Sequence, residues 1–249
     1  MNLDLIRKDF PILETQVNGH QIVYFDNGAT TQRPLPVVNA VVDYVTHQNG
    51  NPHRGAHIFA ISASEAYDTS KEVVRDFIHA RSEKEIIYTR NTTESLNLVS
   101  RSYGETHLKK GDHILITIAE HHSNLVTWQR AAEKTGAVLD YIYIDKETGH
   151  FPEEELKKID DPRVKILAFA QVSNVLGVEF DPKPLIKRAH AHGAVVVLDG
   201  AQSTPHKQID VQDLDCDFFA FSGHKMCSMG GIGVLYAKEE LLDLSLIHI

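Results

Sequence analysis

The sequence predicts an α/β fold, a mainly parallel sheet covered on both faces by helices. Three observations lead there. Seven short apolar runs are rich in β-branched and aromatic residues, and their lengths suit buried strands of about 4–8 residues rather than helix cores. Longer amphipathic stretches alternate with them, and such alternation builds βαβ units whose helices lie on the faces of the sheet. No internal repeat, low-complexity tract or Gly-, Ser- or Pro-rich linker breaks the pattern. The 249 residues therefore read as one large domain, or one plus a fragment of another.

Taken in order, helical patterns at 35–48 and 62–80 precede the first strand, 85–89 (EIIYT). A helix over 92–107 follows, opening on Asn91-Thr-Thr-Glu94, an Asn-x-x-Glu capping pattern. Strand 113–118 (HILITI) leads to helix 122–135, and strand 137–144 (AVLDYIYI) to helix 152–159. In the latter, Glu153-Glu-Glu-Leu-Lys-Lys158 sets acids before bases, as the helix dipole and i,i+4 pairing favour, so it reads as a solvated helix face. Strand 164–170 (VKILAFA), helix 183–192, and strands 194–199 (AVVVLD), 216–221 (CDFFAF) and 232–237 (IGVLYA) complete the series. A helix begun at Lys238 is cut off by Ser245-Leu-Ile-His-Ile249 without cap or following element, so a truncated chain is expected.

Composition narrows the function. Hydrophobic residues make up 42% and charged residues 24%, which excludes a disordered or collagen-like chain. A net charge of −9 argues against a broad nucleic-acid or anionic-membrane surface, while leaving room for a local basic pocket. Cys216 and Cys227 are the only thiols and provide no disulfide framework, as in a reduced, cytoplasmic protein. The N-terminus lacks a signal-peptide core, and no apolar run approaches the roughly 18 residues of a membrane span. A soluble chain is expected.

Ligands of open α/β sheets sit at the carboxyl ends of strands. There, 194–199 ends in Asp199-Gly-Ala-Gln202, and 216–221 runs into Ser222-Gly-His-Lys225. Alone, Asp199 reads as a turn or cap residue and Lys225 as a loop lysine. Together they suit pyridoxal phosphate. Its aldehyde needs an amine of lowered pKa, and its ring nitrogen needs a carboxylate to stay protonated and act as an electron sink. Its phosphate needs hydroxyls, N–H groups and a helix start, which Asn91-Thr-Thr-Glu94, Ser222 and His224 offer. Strand 113–118 ends in Glu120-His121-His122, where an imidazole can stack on a planar ring and exchange protons. Ser173-Asn174 follows the strand at 164–170.

These residues resemble the class V, fold-type I pyridoxal-phosphate enzymes, and within them the Suf-type cysteine desulfurases. The matching stretches are Tyr24-Phe-Asp-Asn-Gly-Ala-Thr-Thr31, Asn51-Pro-His-Arg-Gly55, Arg90-Asn-Thr-Thr-Glu94, Glu120-His-His-Ser-Asn124, Gln171-Val-Ser-Asn-Val-Leu-Gly177, Asp199-Gly-Ala-Gln202 and Phe221-Ser-Gly-His-Lys225. The resemblance implies a fold-type I large domain with a mixed sheet over 21–249, an arm of the small domain over 1–20, and a missing C-terminal small domain. It implies that Lys225 bonds the cofactor aldehyde and shuttles a proton, Asp199 pairs with the ring nitrogen, Gln202 bonds the phenolic oxygen, and His121 stacks on the ring as an acid–base group. Thr93, Ser222 and His224 would hold the phosphate, with Thr92 the second-choice hydroxyl. Asn174 would sit beside the ring and the substrate carboxylate, and Ala29 near that carboxylate. The implied reaction turns L-cysteine into L-alanine and leaves sulfur as an enzyme persulfide for iron–sulfur cluster assembly. The implied partners are a second copy of the chain and a sulfur-acceptor protein of the Suf system.

The departures matter as well. The resemblance puts the nucleophilic cysteine and a carboxylate-clamping arginine far downstream of Lys225, on a C-terminal segment. Cys216 reads as a core thiol in the strand before Lys225, since free cysteine packs as a small hydrophobe. Cys227 and Ser228-Met-Gly-Gly231 replace the family's usual turn, and Asn91 stands where the family often has glycine. His53 with His57, and His190 with His192, lack the partners of a metal site, so no metal is expected. Trp128 reads as core or interface. Three readings stay open: a cysteine desulfurase, a pyridoxal-phosphate-binding fragment without catalysis, and another class V enzyme such as a selenocysteine lyase.

Overall fold

The computed structural model describes residues 2–242; the helix break expected over 245–249 lies outside the described residues. In chain order the strands are β1 (Gln16–Val17), β2 (His20–Gln21), β3 (Ile86–Thr89), β4 (His113–Thr117), β5 (Val138–Ile142), β6 (Val164–Ala170), β7 (Val195–Asp199), β8 (Phe218–Ser222) and β9 (Gly233–Ala237). The helices are α1 (Leu3–Lys8), α2 (Leu35–Asp43), α3 (Ile58–Phe77), α4 (Thr92–Val99), α5 (Glu105–His107), α6 (His122–Thr135), α7 (Glu153–Leu156), α8 (Pro182–Ala191), α9 (Val211–Leu214) and α10 (Glu239–Leu242).

The seven strands expected from the apolar runs are β3 to β9, which form one sheet in the order β3-β9-β8-β7-β6-β4-β5. The pairs β4–β5, β4–β6, β6–β7 and β7–β8 are parallel. Only β9 runs against its neighbours β3 and β8, so the sheet is mixed and mainly parallel. Six strands thus point their carboxyl ends to one edge.

Alternate residues explain why the runs are apolar on both faces. Leu115, Leu167, Phe169, Val196, Leu198 and Phe219 pack with Leu185, Ile186 and Ala189 of α8. Ile114, Ile116, Ile166, Ala168, Val197 and Phe218 pack with Leu96 of α4 and Trp128 of α6. Each such side chain, when fully buried, contributes roughly 1.5–3 kcal/mol of transfer free energy.

Helix ends follow local chemistry. α6 stops at Gly136, whose φ of 76° is left-handed and whose N–H reaches Ala132 O. α3 begins at Ile58 rather than 62 because the His57 side chain caps it, accepting Ala60 N–H at 3.3 Å. The single helix expected over 92–107 is instead α4, a π-helical turn over Ser100–Gly104, and α5. There the Ser102 hydroxyl bonds Leu98 O and that of Thr106 bonds Tyr103 O, side-chain bonds that compete with the helical ladder. The β1–β2 hairpin, absent from the sequence reading, turns through Asn18 and Gly19 with φ of 53° and 77°. An Asn-Gly turn of this kind suits strand twist.

Candidate active site

The loops after β3, β4, β6, β7 and β8 meet at the carboxyl edge around a cavity of about 600 Å³. Every site residue named from the sequence lines it: Ala29, Thr92, Thr93, His121, Asn174, Asp199, Gln202, Ser222, His224 and Lys225. The strand register brings together residues separated by more than a hundred positions in the chain.

Asp199 is the last residue of β7 and is 4% exposed. Its Oδ1 accepts the Ala201 N–H at 2.9 Å, while Oδ2 has no hydrogen bond among the described residues. Burial raises its pKa, opposed by that N–H and by the nearby Lys225 ammonium. The next residue must be small: a Cβ on Gly200 would stand 2.0 Å from Phe219 Cζ.

β8 delivers Ser222 and then a 3-10 turn, Gly223–Lys225. Burial lowers the Lys225 pKa, and the Asp199 charge works the other way. No hydrogen bond or ion pair engages the amine among the described residues. The turn is anchored from the other end of the chain. Thr30 and Thr31 hydroxyls donate to His224 O at 3.1 and 3.0 Å, and Cys227 N–H donates to Thr31 Oγ1 at 2.7 Å.

On the opposite wall, Asn91 caps α4 by accepting Glu94 N–H at 2.8 Å. Glu94 bonds Arg90 rather than the Asn91 N–H, so the expected capping box is half formed. Thr92 N–H donates to Ser222 Oγ at 2.8 Å, and the two hydroxyls share a bond of 2.6 Å. The N–H and hydroxyl of Thr93 have no partner among the described residues. A free N–H and hydroxyl at a helix start suit an anion.

His121 caps α6. Its Nδ1 accepts Ser123 N–H at 3.1 Å and lies 2.8 Å from Ser123 Oγ, which leaves Nε2 to carry the proton of the neutral ring. Burial, then Lys225 and His122, hold its pKa down. His224 is likewise lowered by burial, Lys225 and Arg33. Gln202 Nε2 donates to Gly28 O at 2.8 Å, tying the 24–31 loop across the mouth. Ser173 bonds Ala119 O and stays in the wall, whereas Asn174 reaches the cavity.

Sequence reasoning assigned no role to Thr30, Thr31, Ser123 or Glu120. Thr30, Thr31 and Glu120 act through contacts that only the fold creates, whereas Ser123 acts on His121 two residues away. The two thiols lie elsewhere. Cys216 precedes β8 rather than sitting inside it, is fully buried in the core, and has its pKa pushed up by burial. Cys227, with a left-handed φ of 63°, lines a separate groove beside Phe10, Leu13 and Tyr24. Among the described residues no group of three His, Cys, Asp or Glu side chains is placed to hold a metal. His57 caps a helix, and His190 bonds Asp217 at 2.8 Å.

A family model for class-V aminotransferases matches residues 23–245. The chain belongs to that family. It is 49% identical over 98% of its length to a probable cysteine desulfurase of Halalkalibacterium halodurans, of which it covers 60%. Among solved structures, it superposes on the cysteine desulfurase CsdA of Escherichia coli with a TM-score of 0.87 at 39% identity, covering 98% of this chain and 60% of that one. A cysteine desulfurase of Thermococcus onnurineus gives 0.89 at 41%, covering 97% and 58%. The chain therefore spans about 60% of the length of these relatives. The class-V family is pyridoxal-phosphate-dependent. The residues present fit such a cofactor: a buried carboxylate with an oxygen that makes no hydrogen bond, an unengaged amine, and an open helix-start N–H with hydroxyls, each so among the described residues, share one space.

Proposed function

We propose that residues 21–249 form the cofactor-binding part of a pyridoxal-phosphate-dependent cysteine desulfurase, with residues 1–20 as an arm of its small domain. The observation that carries this is the pairing of Lys225 and Asp199 at the ends of adjacent strands, both facing one cavity and neither engaged by the other. Family membership and the names of the relatives support it. Bound pyridoxal phosphate supplies an aldehyde for Lys225 to attack and a ring that stores electrons during substrate chemistry.

The rest is done by the chain's own groups. Burial holds more of the Lys225 amine neutral, and so nucleophilic, at neutral pH; the same Nζ later carries a proton to and from substrate. Asp199 Oδ2 would accept a hydrogen bond from the ring nitrogen and so keep it protonated. His121, its pKa held down and its ring turned by Ser123, would stack on the ring and present Nε2 for proton exchange. Thr93 with Ser222, Thr92 and His224 would hold the phosphate, Gln202 would serve the phenolic oxygen, and Asn174 and Ala29 would border the substrate carboxylate. The full-length enzyme would convert L-cysteine to L-alanine, pass the sulfur to a cysteine thiol, and supply iron–sulfur cluster assembly in the cytoplasm as a homodimer with a sulfur-acceptor partner. No helix among the described residues is long and apolar enough to cross a membrane.

A second reading has its own support: this stretch binds the cofactor without moving sulfur. Cys216 is sealed in the core and Cys227 faces another groove, so neither thiol borders the cavity. The visible spectrum of the chain with pyridoxal phosphate, beside Lys225→Ala, tests the shared premise. A visible band of lysine-bound cofactor appears only in the wild type. Its absence from a chain that circular dichroism shows to be folded would refute the assignment.

A further inference from the structure

Glu120 stands three residues beyond β4 and immediately before His121. The strands around it end at different points. β4 pairs with β6 as far as Ile116 against Ala168, while β6 continues against β7, setting Phe169 opposite Leu198 and Ala170 opposite Asp199. The Ala170 N–H thus extends past the strand that would have accepted it. Glu120 Oε1 takes that N–H at 3.1 Å, in place of a strand carbonyl, and also accepts the hydroxyl of Thr117 at the end of β4. Its Oε2 accepts Asn124 Nδ2 at 2.7 Å, and Asn124 Oδ1 accepts the indole N–H of the fully buried Trp128 at 2.8 Å. One carboxyl therefore joins β4, β6 and α6.

Two of these elements, α6 and β6, carry a cavity group at that level, and β7 beside β6 carries a third. His121 opens α6, Ala170 lines the cavity, and Asp199 is the register partner of Ala170. Glu120 itself does not line the cavity. We propose that Glu120 is a positioning residue, which fixes the His121 ring and the Asp199 carboxylate relative to one another across the cavity through its bonds to Ala170 and Asn124. This rests on reading the cavity as a pyridoxal-phosphate site. The Glu120 side chain is half-buried and borders a separate groove with Leu125, Tyr141 and Tyr143. Desolvation outweighs the three hydrogen bonds and, with the Asp199 charge, pushes the Glu120 carboxyl up to about 7.

The test uses the chain with pyridoxal phosphate and two readouts: cofactor affinity, and the visible circular dichroism of the bound ring, which reports its orientation. Glu120→Gln keeps an acceptor for Ala170 but turns a donor toward Asn124. It should weaken cofactor binding about tenfold and alter the visible dichroism. Adding Asn124→Asp supplies two oxygens, one for the new amide and one for the Trp128 indole, and should return both readouts to within about twofold of wild type. A Glu120→Gln chain with wild-type affinity and dichroism overturns the proposal. So does one that loses only melting temperature, or a folded double variant that recovers neither readout. If Glu120→Gln does not fold, Thr117→Val, which removes one donor to the same oxygen, carries the dichroism test: a changed signal supports the proposal and an unchanged one overturns it. A wild-type chain with no lysine-dependent band refutes the cofactor reading and the proposal together, whereas a normal wild-type band with unaffected variants refutes the proposal alone.

Discussion

Asp199→Asn should make the cofactor-free chain more stable while spoiling its cofactor site. In the folded chain the carboxylate is almost fully buried, keeps one hydrogen bond through Oδ1, and leaves Oδ2 free. Asparagine can keep the Ala201 bond through its carbonyl and turns its amide toward the cavity, so it removes a desolvated charge without orphaning a backbone group. The sign follows from the raised pKa. A carboxyl whose folded pKa exceeds its unfolded value contributes its full stability only below the unfolded pKa, and loses it as pH rises through the folded one. At pH 7 the wild type therefore carries the cost of a buried carboxylate with one hydrogen bond, about 1–2 kcal/mol, which the variant lacks. With a urea slope of about 2–3 kcal/mol/M for a chain of this size, the midpoint should rise by roughly 0.5 M. Near pH 3, below the unfolded pKa of about 3.9, the gain should shrink, because the wild-type carboxyl is then mostly protonated in both states. Urea titration at both pH values without cofactor checks this. With pyridoxal phosphate the order reverses: an amide N–H facing a protonated ring nitrogen weakens binding about tenfold. A variant less stable than wild type at pH 7 without cofactor would refute the reasoning, since Asp199 would then be serving the fold.

Two further outcomes follow from single contacts. Gly200→Ala should cost about 1–3 kcal/mol of stability, because its Cβ would meet the buried ring of Phe219, which has no free direction to move; an unchanged denaturation midpoint would contradict this. Trp128 is the only tryptophan, and its indole N–H is two hydrogen bonds from Glu120. Its indole resonance should titrate with a midpoint near pH 7, following the carboxyl pushed up to about 7, and lose that titration in Glu120→Gln. A resonance that stays flat between pH 5 and pH 9 in the wild type would show the carboxyl to be unshifted.

Much of the site was legible in the sequence because a parallel sheet leaves little choice. Once AVVVLD and CDFFAF are read as neighbouring buried strands, Asp199 and Lys225 must emerge at the same edge, and the residues following the other strands must join them. The supports were not legible, for a different reason in each case. Thr30 and Thr31 hold a carbonyl about 190 positions away, and no local pattern announces such a contact. Glu120 matters because β4 stops short of β6, a mismatch of strand ends that is a property of pairing and not of either run alone. The π-helical turn at Ser100–Gly104 went unseen since hydrophobic periodicity barely changes across one wider turn. The Asn18-Gly19 hairpin, by contrast, carried a readable local signal that an emphasis on apolar runs passed over.

The rival account of Asp199 and Lys225 is a structural ion pair buried for specificity, and it fails on geometry. Burying two opposite charges is repaid only when they close to contact and satisfy their remaining hydrogen bonds. These two influence each other's protonation, yet no hydrogen bond or ion pair joins them. Backbone holds them apart: Asp199 is fixed opposite Ala220 in the β7–β8 register, and Lys225 sits on a turn pinned by Thr30, Thr31 and the packing of Gly223 against Ile232. The same cavity leaves the Thr93 N–H and hydroxyl open. This fold sets an amine, a carboxylate oxygen and a helix-start N–H around one space, with no bonds between them among the described residues, and so offers all three to one ligand. A ligand that fits all three accepts a nucleophile, donates a hydrogen bond to a carboxylate and presents an anion to a helix start, as a protonated pyridine bearing an aldehyde and a phosphate does.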